Sequence, residues 1–464
     1  MAVIATPEST WTEAEDHLWA IDDDLESPTE KFGFFLAGVA QTTAGPRFTV
    51  QEFIPIADED VEFHGRGAYE IDLDAILNVI NKAKRQDLAI IEAHTHPLTK
   101  KNVTFSTFTD EQEMPDFAAY VLDSLDGTPY GAIVLGRESI DARYWSEPGD
   151  GTAVERVVVA GEHLDVQFPT SGSQSSKAPD DLDDRYDRQI RAFSKEGQDR
   201  LQTLRVGIVG LGGLGSHVVQ QLAYAGVRDF VLVDPDEIEV SNLNRTVTAA
   251  PGDVNKSKAR VAADSIEKIT SDDVSMAVFE TDVRDKEALQ TLLTTDLVVG
   301  CLDNDGPRLV LNRLARAAHL PYLDLATGIN PPDGPVEQLG GRVAFIHPNG
   351  PCLHCVDEID REEARDFLAP AEVSAEDRDI GYIDDVTDPS VVSLNGEVAS
   401  MGISEILIYA TQFGAVSPLH YHYLREPGQQ TQRTASRRVD VDSDCFTCSR
   451  AGDGDAAEIT NWEI

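Results

Sequence analysis

Two histidines one residue apart, His94 and His96, stand at the end of the apolar run DLAIIEAHTH. Because side chains alternate along an extended strand, both imidazoles face the same side. Asp110, which ends the following stretch PLTKKNVTFSTFTD, can supply a third ligand. Catalytic zinc typically takes three protein ligands and keeps a fourth position for water. Taken alone, however, the histidine pair is more often just two polar strand residues, so the residues around it have to decide.

A glycine-rich turn, VGIVGLGGLGSHVV, carries Gly210, Gly212, Gly213 and Gly215 between an expected strand and an expected helix. Asp234 ends the next expected strand. In such a turn, backbone N–H groups at the helix start receive phosphate oxygens, and an acid about 20 residues further on holds the ribose hydroxyls. The turn therefore predicts a nucleotide site, but it does not separate NAD from ATP.

Polar residues after the turn favour ATP. DPDEIEVSNLNR and DVNKSK bring Asn242, Arg245 and Lys258 near the phosphates. A triphosphate and its departing pyrophosphate need such neutralisation, whereas hydride transfer has little use for it, which disfavours an NAD oxidoreductase. In CLDNDGPRLVLN, Asp303 follows a strand and can hold Mg²⁺ over the α-phosphate. The alternatives are surface cations at Arg245 and Lys258 and a helix cap at Asp303.

Four of the five cysteines form two CxxC pairs, CLHC and CFTC. Two such pairs far apart in sequence predict a closed tetrathiolate zinc site, which has no open position and is therefore structural. The fifth, Cys301, lies in the strand before Asp303 and is expected to be a small buried hydrophobe. The expected zinc ligands are Cys352, Cys355, Cys445 and Cys448.

The charge balance is strongly acidic, with 38 Lys plus Arg against 82 Asp plus Glu and a net charge of −44. Such a surface repels phosphate backbones and anionic lipids, so we expect neither nucleic acid nor membrane as a partner. The N-terminal stretch has no signal-peptide pattern, and we expect a cytoplasmic protein. The acidity is that of a solvated surface, or alternatively an adaptation to a salty cytoplasm, which activity independent of high salt would contradict.

A length of 464 residues suits two domains. The Ser-, Pro- and Asp-rich stretch 169–184 predicts a linker between domains at 1–168 and 185–464. The first domain shows strand patterns with one amphipathic helix, DLDAILNVINKAKRQ, which predicts an α+β domain. The second alternates strands and helices, which predicts an α/β fold with a doubly wound, largely parallel Rossmann-like sheet and extra antiparallel strands.

The first domain resembles the JAMM, or JAB/MPN-plus, metalloprotease family. The resemblance rests on EKFGFFLAG with Glu30, on HTHP, and on FSTFTD with Ser106 or Thr107 before Asp110. It implies a zinc-dependent isopeptidase that cuts after the C-terminal glycine of ubiquitin-like proteins. Glu30 would then act as the general base and one of the two hydroxyls would hold the oxyanion.

The second domain resembles the ThiF/MoeB-type adenylyltransferases, which include ubiquitin-activating enzymes. The resemblance rests on RYDRQI, GLGGLGS, SNLNR and the DN pair of Asp303 and Asn304. It implies ATP and Mg²⁺ as cofactors, with Arg188 reaching into a second protomer of a homodimer. Thr246 and Asn255 depart from the family, which usually has Gln and Gly there. The implied nucleotide residues are the four glycines with Asp234, Asp236, Asn242, Arg245, Lys258, Asp303 and Asn304.

Together the two resemblances imply a bifunctional enzyme that trims or deconjugates a ubiquitin-like protein ending in Gly-Gly and adenylates that terminus. Alternatives are activation and trimming of a sulfur carrier for thiocofactor or cysteine synthesis, and a non-catalytic scaffold that binds such tails. Some family members carry a thioester-forming cysteine in a crossover loop, but the matching stretch RDIGYIDDVTDPSVVSLNG has none. We therefore expect the acyl-adenylate to pass to an external thiol or amine acceptor protein.

Overall fold

The computed structural model describes residues 2–20, 29–65, 68–107, 109–172, 184–270, 274–330, 336–368, 389–414, 420–425, 432–435 and 440–454. Most of the expected linker, and residues 378–388 of the stretch matched to the crossover loop, lie outside these residues. Two eight-stranded sheets and a two-stranded hairpin make up the β-structure of the described part.

The first sheet closes on itself, because β1 pairs with both β3 and β9. Its spatial order is β1-β3-β2-β6-β7-β8-β9-β10, while β4 and β5 form the separate hairpin. The expected strands at β2, β3, β6 and β7 and the expected helix α2 are confirmed. The elements are β1 (Ala2–Pro7), α1 (Glu8–Leu18), β2 (Phe32–Gln41), β3 (Pro46–Pro55), β4 (Val61–Gly65), β5 (Ala68–Ile71), α2 (Leu73–Gln86), β6 (Ala89–Thr95), α3 (Asp110–Ser124), β7 (Tyr130–Leu135), β8 (Ile140–Trp145), β9 (Thr152–Ala160) and β10 (Leu164–Gln167).

Strand β6, which carries the first histidine, lies inside this sheet between β2 and β7. All seven of its residues are buried, which explains why its sequence is an apolar run interrupted only by Glu92, His94 and Thr95. Helix α2 begins where the Asp72 carboxylate accepts the backbone N–H groups of Asp74 and Ala75 at 2.7 and 3.2 Å. It contributes Val79, Ile80 and Ala83 to the core beside β6.

The second sheet has the order β13-β12-β11-β14-β15-β16-β17-β18. The first five strands are parallel and the last three extend the sheet antiparallel, which confirms the doubly wound prediction. The elements are α4 (Asp187–Thr203), β11 (Arg205–Val209), α5 (Gly213–Ala225), β12 (Asp229–Val233), α6 (Lys258–Thr270), β13 (Ser275–Phe279), α7 (Lys286–Leu292), β14 (Leu297–Gly300), α8 (Asp305–Ala317), β15 (Tyr322–Asn330), β16 (Gln338–Ile346), α9 (Arg361–Leu368), α10 (Val392–Thr411), β17 (His420–Arg425), β18 (Gln432–Ala435) and α11 (Phe446–Ser449).

A hydrophobic cluster among the described residues joins the two sheets. Val3 of β1 and Val158 of β9 belong to the same buried cluster as Val206 of β11 and Ile406 of α10. Among the described residues, no helix is both long and apolar enough to cross a bilayer. The N-terminal and C-terminal halves are therefore packed directly against each other.

Two buried arginines join the halves. The Arg156 guanidinium donates to the Asp296 carboxylate at 2.6 Å, with side-chain exposures of 3% and 0%. Arg47 donates to the carbonyl oxygens of Leu293 and Thr295 at 2.9 and 3.1 Å. Burial lowers the pKa of Arg47 to about 10, although Asp296 opposes this shift, so Arg47 is still charged at neutral pH.

The arginines contact the second sheet at its amino edge, the side at which its parallel strands begin. Asp296 directly precedes β14, and its carboxylate also accepts the backbone N–H of Arg205, the first residue of β11, at 2.8 Å. Parallel strands of four or five residues are about 15 Å long, so the carboxyl edge lies that far from the contact. The carboxyl edge of the second sheet therefore faces away from the N-terminal half.

We predict that Arg156→Met lowers the free energy of unfolding by roughly 3–5 kcal/mol, because it leaves a buried Asp296 without its ion-pair partner. Chemical denaturation followed by far-UV circular dichroism measures this change. Arg260→Met is the matched control, because its pair with Glu280, 3.0 Å long, is about half exposed. The control should change stability by less than about 1 kcal/mol, and equal effects of the two substitutions would contradict the prediction.

Candidate metal and nucleotide sites

The first candidate site lies at the carboxyl end of β6. The Nε2 atoms of His94 and His96 are 3.6 and 3.5 Å from Oδ2 of Asp110. Ligand atoms bound to one tetrahedral zinc at about 2.0–2.1 Å lie about 3.4 Å apart. His94 and Asp110 are buried and His96 is partly buried. The three side chains therefore fit the donor set and spacing of a zinc site with one open position.

Asp110 is held in place by the residues before it. As the first residue of α3, it accepts the backbone N–H of Ser106 at 2.6 Å, and its own N–H donates to Ser106 Oγ at 3.1 Å. Burial would raise the pKa of Asp110, but His94, His96 and Ser106 hold it well below its usual range. Ser106 thus contacts the cluster, whereas Thr107 is exposed.

Glu30 lies at the edge of the same cluster. Phe32 pairs with His94 across β2 and β6, and the backbone of Lys31 bonds to Thr95, so the register brings Glu30 opposite His96. Burial raises the pKa of Glu30, while the histidines lower it and Asp110 raises it. The carboxyl group therefore takes up a proton more readily than an exposed glutamate, as suits a general base.

Glu92 is a polar neighbour of this cluster that sequence reasoning missed. Its Oε1 lies 3.3 Å from Nδ1 of His94, and its Oε2 accepts the phenol of Tyr130 at 2.9 Å. Burial would lower the pKa of His94, but Asp110 and Glu92 raise it to about 10. The signal was present in the sequence, since Glu92 stands two residues before His94 and therefore faces the same side of β6.

The second candidate site lies at the carboxyl edge of the second sheet. Strands β12, β11 and β14 are neighbours, and they are followed by Asp234, by Gly210 and by Asp303 respectively. Gly210 has φ +86°, and a side chain there would meet the carbonyl oxygen of Cys301. The turn therefore needs glycine at this position, and it leads directly into α5, whose free N–H groups suit a phosphate.

Asp234 anchors the turn from the neighbouring strand. Its carboxylate accepts the backbone N–H groups of Leu211 and Asp236 at 2.6 and 2.9 Å. Burial raises its pKa, an effect that Lys258 opposes. Lys258, the first residue of α6, donates to Asp236 at 2.8 Å. Acid and cation thus meet where a ribose and its phosphates would lie.

Arg245 packs beside the glycine turn. A side chain at Gly213 would lie 3.2 Å from Cγ of Arg245. The Arg245 guanidinium donates to the carbonyl oxygen of Ser241 at 2.6 Å, and Asn242 accepts the backbone N–H of Glu239 at 2.9 Å. Both side chains come from one compact turn after β12. The segment SNLNR therefore forms a second wall of the site.

Backbone geometry bears on two questions that the sequence left open, the departure from the family at Asn255 and the possible helix cap at Asp303. Asn255, where the family usually has Gly, has φ +68°, a conformation that Asn tolerates better than most residues. Asn304 caps α8 by accepting the backbone N–H of Gly306 at 2.8 Å, and its amide donates to Glu363 at 2.7 Å. The helix cap is therefore Asn304, which leaves Asp303 exposed at the strand end.

The four cysteines of the CxxC pairs come together although they are far apart in sequence. Sγ of Cys352 is 3.8 Å from Cys355 and 3.6 Å from Cys445, and Cys355 is 3.5 Å from Cys448. Thiolates bound to zinc at about 2.3 Å lie about 3.8 Å apart, so the cluster fits a structural zinc. A disulfide would require about 2.05 Å.

Arg188 lies away from the nucleotide residues of its own chain. It is exposed at the start of α4, where the neighbouring Gln189 donates to the carbonyl oxygen of Ala225 at 3.5 Å. Ala225 ends α5, and the glycine turn is at the other end of this 13-residue helix. The helix is about 20 Å long, so Arg188 does not reach the turn of its own chain.

Comparison with known proteins identifies the family of the C-terminal half. The ThiF family profile matches residues 186–445, a segment that begins after the histidine cluster. The SAMP-activating enzyme E1 of Haloferax volcanii is 35% identical over 175 residues, which cover 37% of this chain and 61% of that protein.

Two bacterial relatives are similar to a comparable extent. Molybdopterin-synthase adenylyltransferase of Escherichia coli is 33% identical over 183 residues, or 39% of this chain and 70% of that protein. The sulfur carrier protein adenylyltransferase of Thermus thermophilus is 35% identical over 181 residues, or 37% of this chain and 63% of that protein. The chain thus spans 61% to 70% of the length of these three relatives.

We predict that the purified chain carries about two zinc ions, one in each cluster. Elemental analysis after dialysis should give about one ion for His96→Ala and about one for Cys448→Ser, because each substitution removes one ligand from one of the two clusters. His163→Ala, a half-buried histidine paired with Glu8 outside both clusters, is the control. Unchanged zinc content in His96→Ala would contradict a metal at the first site.

Proposed function

Because this chain belongs to the ThiF family through residues 186–445, we propose that its C-terminal half adenylates the C-terminal carboxylate of a ubiquitin-like or sulfur-carrier protein. The observation that carries the proposal is the meeting of the glycine turn, Asp234, Lys258, Arg245 and Asp303 at one carboxyl edge. The names of the three relatives, two adenylyltransferases and a SAMP-activating enzyme, support the same reaction class.

In this reaction a carboxylate oxygen of the carrier attacks the α-phosphorus of ATP, and the bond to pyrophosphate breaks. Asp234 accepts the ribose hydroxyls, and Arg245 and Lys258 neutralise the phosphates as pyrophosphate departs, with Asn242 beside them. Asp303, exposed after β14, would hold Mg²⁺, which supplies further charge neutralisation when bound. Asp236, which is paired with Lys258, keeps that cation at the edge of the site.

The acyl-adenylate then passes to a nucleophile on another molecule. Four cysteines lie in the tetracysteine cluster, which leaves Cys301. Burial raises the pKa of Cys301, with a further increase from Asp324, so its reactive thiolate is suppressed. Two relatives are named for molybdopterin synthase and for a sulfur carrier protein. We therefore favour activation of a sulfur carrier over conjugation of a ubiquitin-like protein. A thiocarboxylate on the carrier, and no carrier–lysine adducts, would support this choice.

For the N-terminal half we propose zinc-dependent hydrolysis of a peptide bond near the carrier's C-terminus. His94, His96 and Asp110 would hold the metal, which supplies a Lewis acid and a water molecule of lowered pKa. Glu30 would act as the general base and pass the proton to the leaving amine, and Ser106, which already contacts the cluster, would stabilise the oxyanion. This half would trim the carrier that the other half activates.

The two reactions can be separated by substitution. We predict that Asp303→Ala lowers ATP–pyrophosphate exchange, measured with Gly-Gly-tailed carriers, by at least about 100-fold, because metal and phosphate positioning is lost. Cleavage of a tail-extended carrier should persist in this variant. Glu30→Gln should retain zinc and pyrophosphate exchange but lose cleavage of the tail-extended carrier.

Asp282→Ala is the control, because it removes a partly buried acid of the same half that pairs with Arg284 and not with the predicted nucleotide residues. Full exchange in Asp303→Ala would contradict the adenylation site. Wild-type protein that binds Gly-Gly tails but neither exchanges pyrophosphate nor cleaves would instead indicate a non-catalytic scaffold.

We further propose that the protein works as a homodimer in which Arg188 completes the site of the partner. Arg188→Ala and Asp303→Ala should each be inactive in exchange. After mixing under conditions that allow subunit exchange, about a quarter of wild-type activity should return, because half of the random dimers hold one complete site. No recovery in verified mixed dimers would show that Arg188 does not act across subunits.

A further inference from the structure

Glu92 is a buried carboxylate that neither proposed reaction uses. It is 6% exposed on β6, between the core of the first sheet and the histidine cluster. Burying a carboxylate is costly unless hydrogen bonds satisfy its oxygens. Glu92 has one oxygen on the Tyr130 phenol at 2.9 Å and the other facing Nδ1 of His94 at 3.3 Å. Its position is therefore tied to the cluster as much as to the core.

The two ring nitrogens of His94 face two different carboxylates. Nδ1 faces Glu92, whereas Nε2 faces Asp110 at 3.6 Å. If Nδ1 carries the proton and donates it to Glu92, the lone pair of Nε2 is directed toward the metal position. In metal sites such an outer carboxylate fixes the tautomer of the histidine and increases its basicity as a ligand.

The orientation of the ring itself has other support. Phe32 stacks on His94 with ring centroids 5.5 Å apart, and Phe105 meets it edge-on at 6.2 Å. Glu92 is therefore not required merely to hold the ring plane. On the Nδ1 side of the ring, Glu92 adds a negative charge and an acceptor for the Nδ1 proton.

We propose that Glu92 is a positioning residue of the metal site, which acts through His94 by fixing its Nε2 as the ligand atom and by strengthening zinc binding. This inference rests on the proposed zinc site of the N-terminal half. The competing interpretation is that Glu92 serves only as the partner of Tyr130 in the core. That interpretation predicts an effect on stability and none on the affinity for zinc.

The test measures zinc affinity in the full chain by competition with a chromophoric chelator. The tetracysteine cluster contributes its own zinc, so the relevant component is the one that His96→Ala abolishes. Glu92→Gln keeps an acceptor for the Nδ1 proton but removes the charge, and it should weaken this component about 10- to 100-fold. Glu92→Leu removes both and should weaken it further.

Glu52→Gln is the matched control, because Glu52 lies on the adjacent part of the sheet in β3 and pairs with Lys82 at 2.5 Å, away from the metal. It should leave the zinc affinity within about 2-fold of wild type. Cobalt(II) substitution supplies a second readout. The ligand-field spectrum of the His96-dependent site should be retained in Glu92→Gln, since the ligands themselves are unchanged.

The outcomes are distinguishable. Wild-type affinity in both Glu92→Gln and Glu92→Leu would overturn the role of Glu92 while leaving the zinc site in place. If the wild-type chain has no His96-dependent zinc at all, the proposed metal site fails, and the role of Glu92 fails with it. Should Glu92→Leu not fold, as judged by loss of its tetracysteine zinc, Glu92→Gln alone decides.

Discussion

The contact between the halves depends on three buried charges, Arg47, Arg156 and Asp296. Asp296 accepts both the Arg156 guanidinium and the backbone N–H of Arg205, so one carboxylate connects the first sheet to the start of β11 and β14. Because removal of one partner leaves the other as an uncompensated buried charge, single substitutions at this contact are costly. It holds the amino edge of the second sheet against the first and leaves the carboxyl edge for the nucleotide.

The same contact receives the chain's C-terminal segment. The carbonyl oxygen of Gly452 accepts Thr49 Oγ1 and Gln51 Nε2 of β3 at 2.7 and 2.9 Å, and its N–H donates to the carbonyl oxygen of Arg316 at 3.0 Å. This segment begins only a few residues after Cys448. A metal in the tetracysteine cluster would therefore stabilise the contact between the halves in addition to the fold of the second sheet.

Many elements of the fold and of the candidate sites were predictable because short stretches of sequence specify them. The glycine turn, the alternation of strands and helices, and the HTHP and CxxC motifs are local signals. The first sheet's closure was not predictable, since β1 pairs with β3 and β9, which are remote in sequence. Glu92 was missed because an acid inside a buried strand has no motif of its own. Asn304 was predicted to contact the nucleotide, which stays a prediction, and its role as the cap of α8 was not foreseen.

The placement of the two candidate sites bears on how they cooperate. Along β2, the contact with the C-terminal segment involves Gly38, whereas the metal cluster lies beyond Phe32 at the other end of the strand, about 20 Å away. The nucleotide residues lie a further strand length beyond the contact, on the edge that faces away. The two candidate sites therefore lie on opposite sides of the contact between the halves. If the proposed hydrolysis and adenylation act on one carrier, this separation would require the carrier to dissociate between the two steps. The fusion would then supply the two activities in equal amount without channelling the tail.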